Sequence, residues 1–204
     1  MTSKTNVGKV EATMAFMGSP CWIMYSDEHS DPYFAQFVTP KTVVPAIAVI
    51  SPKKSFLIVH ALDADNVAGN RDVTVMRYQK ESEMWEKLGR AIKQLNYPPI
   101  ISLTYTTMGA AQVDVVGVGM YRVLSKKLRA VYRGGKGFRL ASAEELVYAL
   151  SDRKSEGDIA KIKVAARRAL EILESAFNKL RPGMTEIDAV KLVHSIVQRK
   201  PDYF

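Results

Sequence analysis

Three acidic residues and a histidine with the chemistry of metal ligands lie close together near the N-terminus. Asp27, Glu28, His29 and Asp31 fall within five positions, and carboxylate and imidazole groups bind divalent ions. The surrounding residues are polar and rich in turn formers, so the segment is predicted to be a loop. A metal site needs ligands held by rigid elements. We therefore interpret this group as ordinary loop polarity.

The other residues that could act as ligands or nucleophiles are isolated from one another. His60 lies at the end of a predicted strand and His194 on a predicted helix. We expect them to be a surface polar group and a helix-face residue. Cys21 lies in an apolar strand without a nearby histidine, and such thiols are usually inert. We accordingly assign no catalytic, cofactor-binding or metal-binding residue in this chain.

Two glycine-containing segments resemble phosphate-binding patterns only in part. Residues 133–137 read RGGKG, but Ala130 and Gly137 stand where a P-loop needs a glycine and a Ser or Thr. Residues 117–119 read GVG and lack the third glycine of a dinucleotide-binding fingerprint. We interpret both segments as flexible or closely packed backbone, with 117–119 within or beside a helix.

Much of the formal net charge of +8 lies in the basic segment, residues 122–139. Tyr121, Tyr132 and Phe138 interleave with its cations, as they would on a surface that stacks bases. No helix-turn-helix, RNP or zinc-finger spacing accompanies them, so we favour a solvated helix face and a basic turn over a nucleic-acid site. The alternative function is a stand-alone binding or regulatory module that contacts nucleic acid or an acidic partner through this segment. Its basic residues are Arg122, Lys126, Lys127, Arg129, Arg133, Lys136 and Arg139.

The elements that position these residues alternate between strand and helix. Apolar patterns predict strands near 21–25, 43–50, 56–60, 73–76, 100–103 and 131–132, and helices over 7–17, 61–68, 81–95 and largely 112–128. In the last of these we expect Val116, Met120, Val123 and Leu124 to point inward. A turn at 51–54 makes a hairpin, so we predict an α/β fold with a mixed sheet flanked by helices.

The region after residue 141 is predicted to be helical throughout. Ser142 caps a first helix, and Ser155 begins a second one that ends before Pro182-Gly183. Thr185 caps a third helix with Asp188 in the reciprocal position. The apolar positions of the second helix are spaced alternately by three and four: Ile159, Ile162, Ala166, Ala169, Leu173, Ala176 and Leu180. The inner face of the third is predicted from Ile187, Val190, Val193 and Val197.

Length and composition set the remaining limits. A chain of 204 residues, 47% hydrophobic and 25% charged, describes a globular protein with room for one core and part of another domain. No apolar run approaches the roughly 20 residues that span a bilayer, and the N-terminus lacks a signal-peptide pattern. Because Cys21 is the single cysteine, no internal disulfide can form. We expect a cytoplasmic protein without membrane contact.

Residues 142–186 resemble the junction between the two domains of Xaa-Pro metallopeptidases, the family of prolidase, aminopeptidase P and creatinase. The likeness is carried by EEL at 144–146, KS at 154–155, AA at 165–166 and RPGMTE at 181–186. Weaker similarities are YSDE at 25–28, DPYF at 31–34, SLTY at 102–105 and GVGMY at 117–121. The chain departs from the family at Ser151, often an arginine, and at Val38-Thr39, where many relatives have threonine-glycine.

This resemblance implies three parts. Residues 1–141 would form a creatinase/prolidase-type N-terminal domain with a ribonuclease-H-like α/β fold. Residues 142–154 would be a linker helix and junction, and 155–204 the first two helices of a truncated pita-bread catalytic domain. The family binds two divalent ions, Mn, Co or Zn, through two Asp, a His and two Glu. Those ligands belong to the sheet that would follow Phe204.

The resemblance also implies a non-catalytic role for the chain itself. We expect it to contribute oligomer contacts, as a homodimer, and to shape access to the active site of the intact enzyme, with the loop 27–41 as the segment concerned. The intact relative would hydrolyse the bond before a proline in a peptide substrate. The apolar stripes of the final helices would normally rest on the sheet that follows in the family, and without it we expect them to pack against the N-terminal domain or, in preference, against another chain.

Overall fold

The computed structural model describes residues 6–133, 137–152, 154 and 156–198. The chain divides into two compact units, Met1–Asp152 and Arg153–Phe204. The domain boundaries expected from the family resemblance, at residues 141 and 154, stay a prediction. Ser155, Gly134, Gly135 and Lys136, which entered the capping, P-loop and basic-segment interpretations, lie outside the described residues.

Unit 1 is built around a six-stranded mixed sheet with the strand order β4-β3-β2-β1-β5-β6. Of these strands, β2 runs antiparallel to both of its neighbours, whereas the pairs β3–β4, β1–β5 and β5–β6 are parallel. The sheet confirms the predicted hairpin and the α/β fold class. The strands are β1 (Trp22–Ser26), β2 (Ala46–Ile50), β3 (Phe56–His60), β4 (Thr74–Tyr78), β5 (Ile100–Leu103) and β6 (Arg139–Ser142).

Helices cover both faces of the sheet and close a separate apolar core on each. Successive strand residues point to opposite faces, so Trp22 and Met24 enter one core while Cys21 and Ile23 enter the other. The first core includes residues of α1, α2 and α5, and the second includes residues of α3 and α4. Their bounds are α1 (Val7–Met17), α2 (Pro32–Phe37), α3 (Glu81–Gln94), α4 (Val118–Val131) and α5 (Glu144–Asp152).

The short helix predicted over 61–68 is wrong. Residues 61–69 are a series of turns, with hydrogen bonds from Asp63 N–H to the His60 carbonyl (3.0 Å) and from Asn66 N–H to the Asp63 carbonyl (3.1 Å). The Asp63 side chain is buried and bonds to backbone N–H groups of another loop. A tertiary hydrogen bond therefore overrides the local helix preference.

The helix predicted over 112–128 begins later than expected. The N–H groups of Val115 and Val116 donate to the Thr104 carbonyl at 3.1 and 2.8 Å, which holds them out of a helix. Helix α4 starts at Val118. Of the expected inward residues, Leu124 is fully buried, but Val123 is 37% exposed.

The strand predicted at Val131-Tyr132 is also wrong, because these residues end α4. The Tyr132 N–H donates to the Leu128 carbonyl at 3.0 Å and continues the helical pattern. The last strand is instead β6, whose register pairs Ile100 with Arg139.

Unit 2 consists of α6 (Glu156–Phe177) and α7 (Glu186–Gln198), which are in contact with each other. The predicted cap of α7 is confirmed: Asp188 N–H donates to Thr185 Oγ1 (3.2 Å), and Thr185 N–H donates to Asp188 Oδ2 (3.0 Å). The predicted inner face is only partly right, since Ile187 is 66% exposed while Ile196 is buried. Two helices bury only a narrow stripe of each other.

None of the helices in the described part of the chain is long and apolar enough to cross a membrane.

Candidate functional site

The carboxyl ends of five strands meet at one edge of the sheet in unit 1. Because β2 alone among the described strands is reversed, the segments that follow β1, β3, β4, β5 and β6 emerge at this edge, and β2 begins there. Open α/β sheets bind ligands at such an edge. The residues at this loop edge are therefore the first place to look for chemistry.

Asp31 is the buried carboxylate that follows β1. Its Oδ1 accepts hydrogen bonds from the N–H groups of Tyr33 (2.8 Å) and Phe34 (3.1 Å), which caps α2. Its Oδ2 is buried without a hydrogen-bond partner. Burial raises the pKa of Asp31 to about 6, against the opposing effect of the two N–H donors.

Asp63 is the buried carboxylate that follows β3. Its Oδ2 accepts from the N–H groups of Val43 and Val44, both at 2.9 Å. The bond joins the turns after β3 to the segment that leads into β2. The side chain therefore fixes the position of a loop whose backbone donors have no strand partner.

Glu144, at the start of α5, is the most extensively bonded carboxylate at this edge. It is 1% exposed and accepts from the N–H groups of Thr107 (2.9 Å) and Met108 (3.2 Å) and from the hydroxyl of Thr106 (2.9 Å). These hydrogen bonds lower the pKa of Glu144, and the bond from the Thr107 N–H makes the largest contribution. The charged carboxylate thereby anchors the long loop after β5.

The acids at this edge do not combine into a metal site. In the part of the chain that the structure describes, no group of three or more His, Cys, Asp or Glu side chains could hold a metal ion. Asp31 is turned into the core, whereas Asp27, Glu28 and His29 are exposed. Glu28 and His29 have φ of 46° and 63° in a tight turn. The described residues therefore do not fit the dinuclear metal centre that the sequence resemblance implies.

The two isolated histidines have structural or surface positions. His60 Nδ1 accepts from the Leu62 N–H (3.2 Å), so its Nε2 carries the hydrogen that bonds the Gln79 carbonyl (3.2 Å). Its ring also meets the edge of Tyr78, with centroids 5.1 Å apart. His194 is exposed on α7.

Cys21 is fully buried, immediately before β1. Burial raises the pKa of its thiol to about 12, so the thiolate is not formed near neutral pH.

The described part of the basic segment lies along α4 and the residues that follow it. Arg122, Lys126, Lys127 and Arg129 are exposed, and the Lys127 ammonium lies 5.1 Å from the ring centroid of Trp85. A surface cleft of about 440 Å³ lies beside this face and is lined by basic, aromatic and small residues: Tyr121, Ser125, Arg129, Tyr132, Gly137, Phe138, Arg139 and Leu140.

The aromatic residues of this cleft are engaged in packing. Tyr132 is 6% exposed, and its hydroxyl donates to the Pro98 carbonyl at 2.6 Å. Its ring lies 4.4 Å from that of Phe138, and Tyr121 meets Tyr105 edge-on at 5.4 Å. These aromatic rings therefore pack against other residues of the protein, and the exposed side chains on this surface are the basic ones.

Gly117 stands at the N-terminus of α4, as predicted for a glycine beside a helix.

Sequence reasoning missed Asp63 and Glu144 as the residues that shape the loop edge. Both acids follow or adjoin a strand end, where backbone donors accumulate. A single acid flanked by apolar residues, such as Asp63 between Leu62 and Ala64, was the available signal.

Comparison with known proteins places this fold in a defined class. No protein-family model matches the sequence, and no curated protein matches it. Among solved structures, the chain is similar to the dipeptidase PepE of Mycobacterium ulcerans (TM-score 0.64, 13% identity), covering 95% of this chain and 48% of that one. It is also similar to an Xaa-Pro dipeptidase of Bacillus anthracis (TM-score 0.57, 17% identity), covering 96% of this chain and 48% of that one.

The chain thus spans about half the length of these structures. A proline dipeptidase chain of Streptococcus pneumoniae is matched over 99% of its length by 74% of this chain (TM-score 0.51, 12% identity). The fold resembles the N-terminal domain of prolidase-type peptidases. The likeness predicted from the sequence is confirmed at the level of the fold.

Proposed function

We propose that this chain is the non-catalytic N-terminal domain of an Xaa-Pro dipeptidase or aminopeptidase-like metallopeptidase, followed by the first two helices of the catalytic domain. The observation that carries the proposal is the fold, which corresponds to about half of the Bacillus anthracis and Mycobacterium ulcerans peptidase chains. In this proposal the catalytic ligands and the two divalent ions belong to the other half of the intact enzyme.

The carboxylates at the loop edge support a structural role. Asp31, Asp63 and Glu144 each accept backbone N–H groups and are at least 96% buried. A carboxylate that is buried and bonded to backbone N–H groups holds a loop in place. In this proposal the domain contributes loops of fixed shape at one edge of its sheet, and the other half of the intact enzyme contributes the catalytic groups.

The first prediction is that the purified chain does not hydrolyse Xaa-Pro peptides. We expect no release of proline from Ala-Pro with added manganese, cobalt or zinc, because the described carboxylates are engaged as loop anchors. A full-length prolidase under the same conditions is the positive control. Metal-dependent turnover that copurifies with the chain would contradict the proposal.

The contact role is assigned to the loop 27–41 and its continuation to β2. This segment contains α2, which the loop interpretation had not anticipated, and its shape is set by Asp31 and Asp63. Val43 is 54% exposed at the end of the segment. A firmly positioned backbone with an exposed apolar residue suits a contact with a neighbouring subunit.

The second prediction concerns this surface. In a Val43→Cys variant, we expect the rate of maleimide labelling to fall severalfold between micromolar and several-hundred-micromolar protein, because a neighbouring subunit covers the residue. Cys21 does not interfere, since its thiol is buried. A Phe16→Cys variant, at a 78% exposed position on α1 away from this loop edge, is the control. Equal labelling rates for Val43→Cys at both concentrations would reject the contact role.

A further inference from the structure

A basic surface groove of about 780 Å³ lies between α3 and α4 in unit 1. These two helices cover the face of the sheet opposite α5, the helix with which unit 1 ends. The lining of this α3–α4 groove includes four exposed cations and the exposed acid Glu86. The cations are Arg90 and Lys93 of α3, Lys127 of α4, and Arg133 just after α4.

Close packing of the two helices gives the groove a fixed floor. A β-carbon added at Gly89 of α3 would lie 3.1 Å from Cγ2 of Val131 of α4, which is shorter than a normal contact between carbon atoms. The helices therefore approach as closely as they do because position 89 is a glycine. Leu88 and Leu124 are fully buried in the second core and hold both helices against the sheet. The cations of the groove thus project from rigid elements.

Neighbouring acids do not neutralise these cations. Among the residues that the structure describes, none of the four cations of the groove forms an ion pair. Lys127 lies over the Trp85 ring, a contact that leaves its charge in place. Arg90 and Lys93 lie outside the basic segment 122–139, so the sequence pattern did not connect them with it. A concave surface lined by one sign of charge attracts ligands of the opposite sign.

The lining favours a nucleic-acid backbone over a protein partner. Protein interfaces depend on apolar and aromatic anchors that become buried on contact, and Trp85 is already only 8% exposed. Interfaces with DNA are more polar and much more positively charged than those between proteins. The other apolar residues of the lining are small or partly to fully buried: Gly89, Ala130 and Val131.

Double-stranded DNA suits the groove better than a single strand or an RNA duplex. Single strands are held by stacking of bases on aromatic rings, but Tyr97 packs edge-on against Tyr132, with centroids 5.5 Å apart. RNA duplexes are recognised largely through their 2′-hydroxyl groups. As far as the structure describes the chain, the lining has two neutral polar side chains for such contacts, Ser82 and Tyr97. Cations alone are sufficient for the DNA backbone.

We infer that the α3–α4 groove binds the phosphate backbone of double-stranded DNA, without reading its sequence. Arg90 and Lys93, three positions apart on one helix, are neighbours on one wall of the groove, and Lys127 and Arg133 belong to the other wall. The inference concerns unit 1 alone and goes beyond the proposed function. It does not depend on that function, because peptidase parentage and DNA binding are measured separately.

The test is the fluorescence anisotropy of a short labelled DNA duplex titrated with the full chain. With four phosphate contacts, a plot of the logarithm of the association constant against that of the salt concentration should have a slope of about −3.6. Binding should therefore weaken roughly a hundredfold between about 50 and 200 mM salt. The same titration with a duplex of scrambled sequence should give the same constant.

Loss of one cation should weaken binding and its salt dependence together. Arg90→Gln and Arg133→Gln should each raise the dissociation constant severalfold and make the slope shallower by about 1. Arg71→Gln is the matched control and should change neither quantity. Arg71 is exposed and lies two positions before Val73, which packs in the first core on the other face of the sheet.

A gain of binding distinguishes a contact with DNA from damage to the fold. Glu86→Gln removes the acid of the lining and should lower the dissociation constant severalfold, because the repulsion between its carboxylate and the phosphates is lost. Glu145→Gln, at an exposed position on α5, is the matched control and should leave the constant unchanged.

Three results would overturn the inference. If Arg71→Gln weakened binding as much as Arg90→Gln, net charge alone would attract DNA. Tighter binding of an RNA duplex or of a single strand of the same sequence would reject the assignment to double-stranded DNA. Polyglutamate that displaces the duplex as well as unlabelled DNA does, at the same concentration of charge, would assign the groove to an acidic protein.

Discussion

Asp31 shows how one residue at the loop edge couples the fold to pH. Its carboxyl group is fully buried, and only one of its oxygens receives hydrogen bonds. Burial raises its pKa to about 6, above the ordinary value of 3.8. The folded state therefore binds the proton more tightly than the unfolded state. Stability is greatest when the group is protonated and falls as pH rises from about 4 through 6.

The third prediction follows from this fall in stability with rising pH. The free energy of unfolding of Asp31→Asn, relative to that of the unmodified chain, should increase by about 2–3 kcal/mol between pH 4 and pH 7, because the amide carries no charge to bury. Asparagine still caps a helix, so α2 should remain. The check is urea unfolding at several pH values. Asp27→Asn, at an exposed position, is the control. If the free energy of unfolding of Asp31→Asn changed with pH in the same way as that of the unmodified chain, the charged Asp31 carboxylate would carry no cost of burial.

At the scale of elements, Glu144 connects the start of α5 to the loop after β5. The Ser142 hydroxyl accepts from the Glu144 N–H at 3.0 Å, which confirms the predicted cap, and donates to the Tyr105 carbonyl. The Glu144 carboxylate then holds Thr106, Thr107 and Met108. Ser142 and Glu144, two positions apart, thus connect the end of β6, the start of α5 and the loop after β5.

The fourth prediction is that Glu144→Gln loosens this loop. Glutamine keeps the shape but loses the charge that strengthens the hydrogen bonds, so cleavage within 104–117 by a nonspecific protease should become severalfold faster. Because the pKa of Glu144 is lowered in the folded state, the difference between variant and unmodified chain should shrink as pH falls below about 4.5. Exposed Glu145→Gln is the matched control. Unchanged cleavage of Glu144→Gln would mean that other contacts hold the loop.

Elements with strong local signals could be predicted from the sequence. Helix α3 was found by its apolar stripe, and the end of α1 by Gly18, which has a φ of 68°. Helix α2 was missed because it has only six residues and is stabilised by a buried cap. The turns after β3 were wrongly predicted as a helix. The hydrogen bonds that hold them join Asp63 to Val43 and Val44, which are 20 and 19 positions away in the sequence. Long-range polar contacts leave no periodic pattern.

At the scale of the whole molecule, the two apolar cores of the sheet are complete within unit 1. Among the residues that the structure describes, all members of both cores lie between Val7 and Leu150. Unit 1 therefore has the components of an independent folding unit.

The fifth prediction is that a chain ending at Asp152 folds with nearly the stability of unit 1 in the full chain, within about 1 kcal/mol by urea unfolding. A chain ending at Ser142 is the contrasting variant. It loses Leu146, Val147 and Leu150, each worth about 1.5–3 kcal/mol of burial, together with the Glu144 anchor. Since domains are stable by only about 5–15 kcal/mol, this shorter chain should not fold cooperatively. A chain ending at Asp152 that fails to fold would instead show that unit 2 is needed to complete the N-terminal domain.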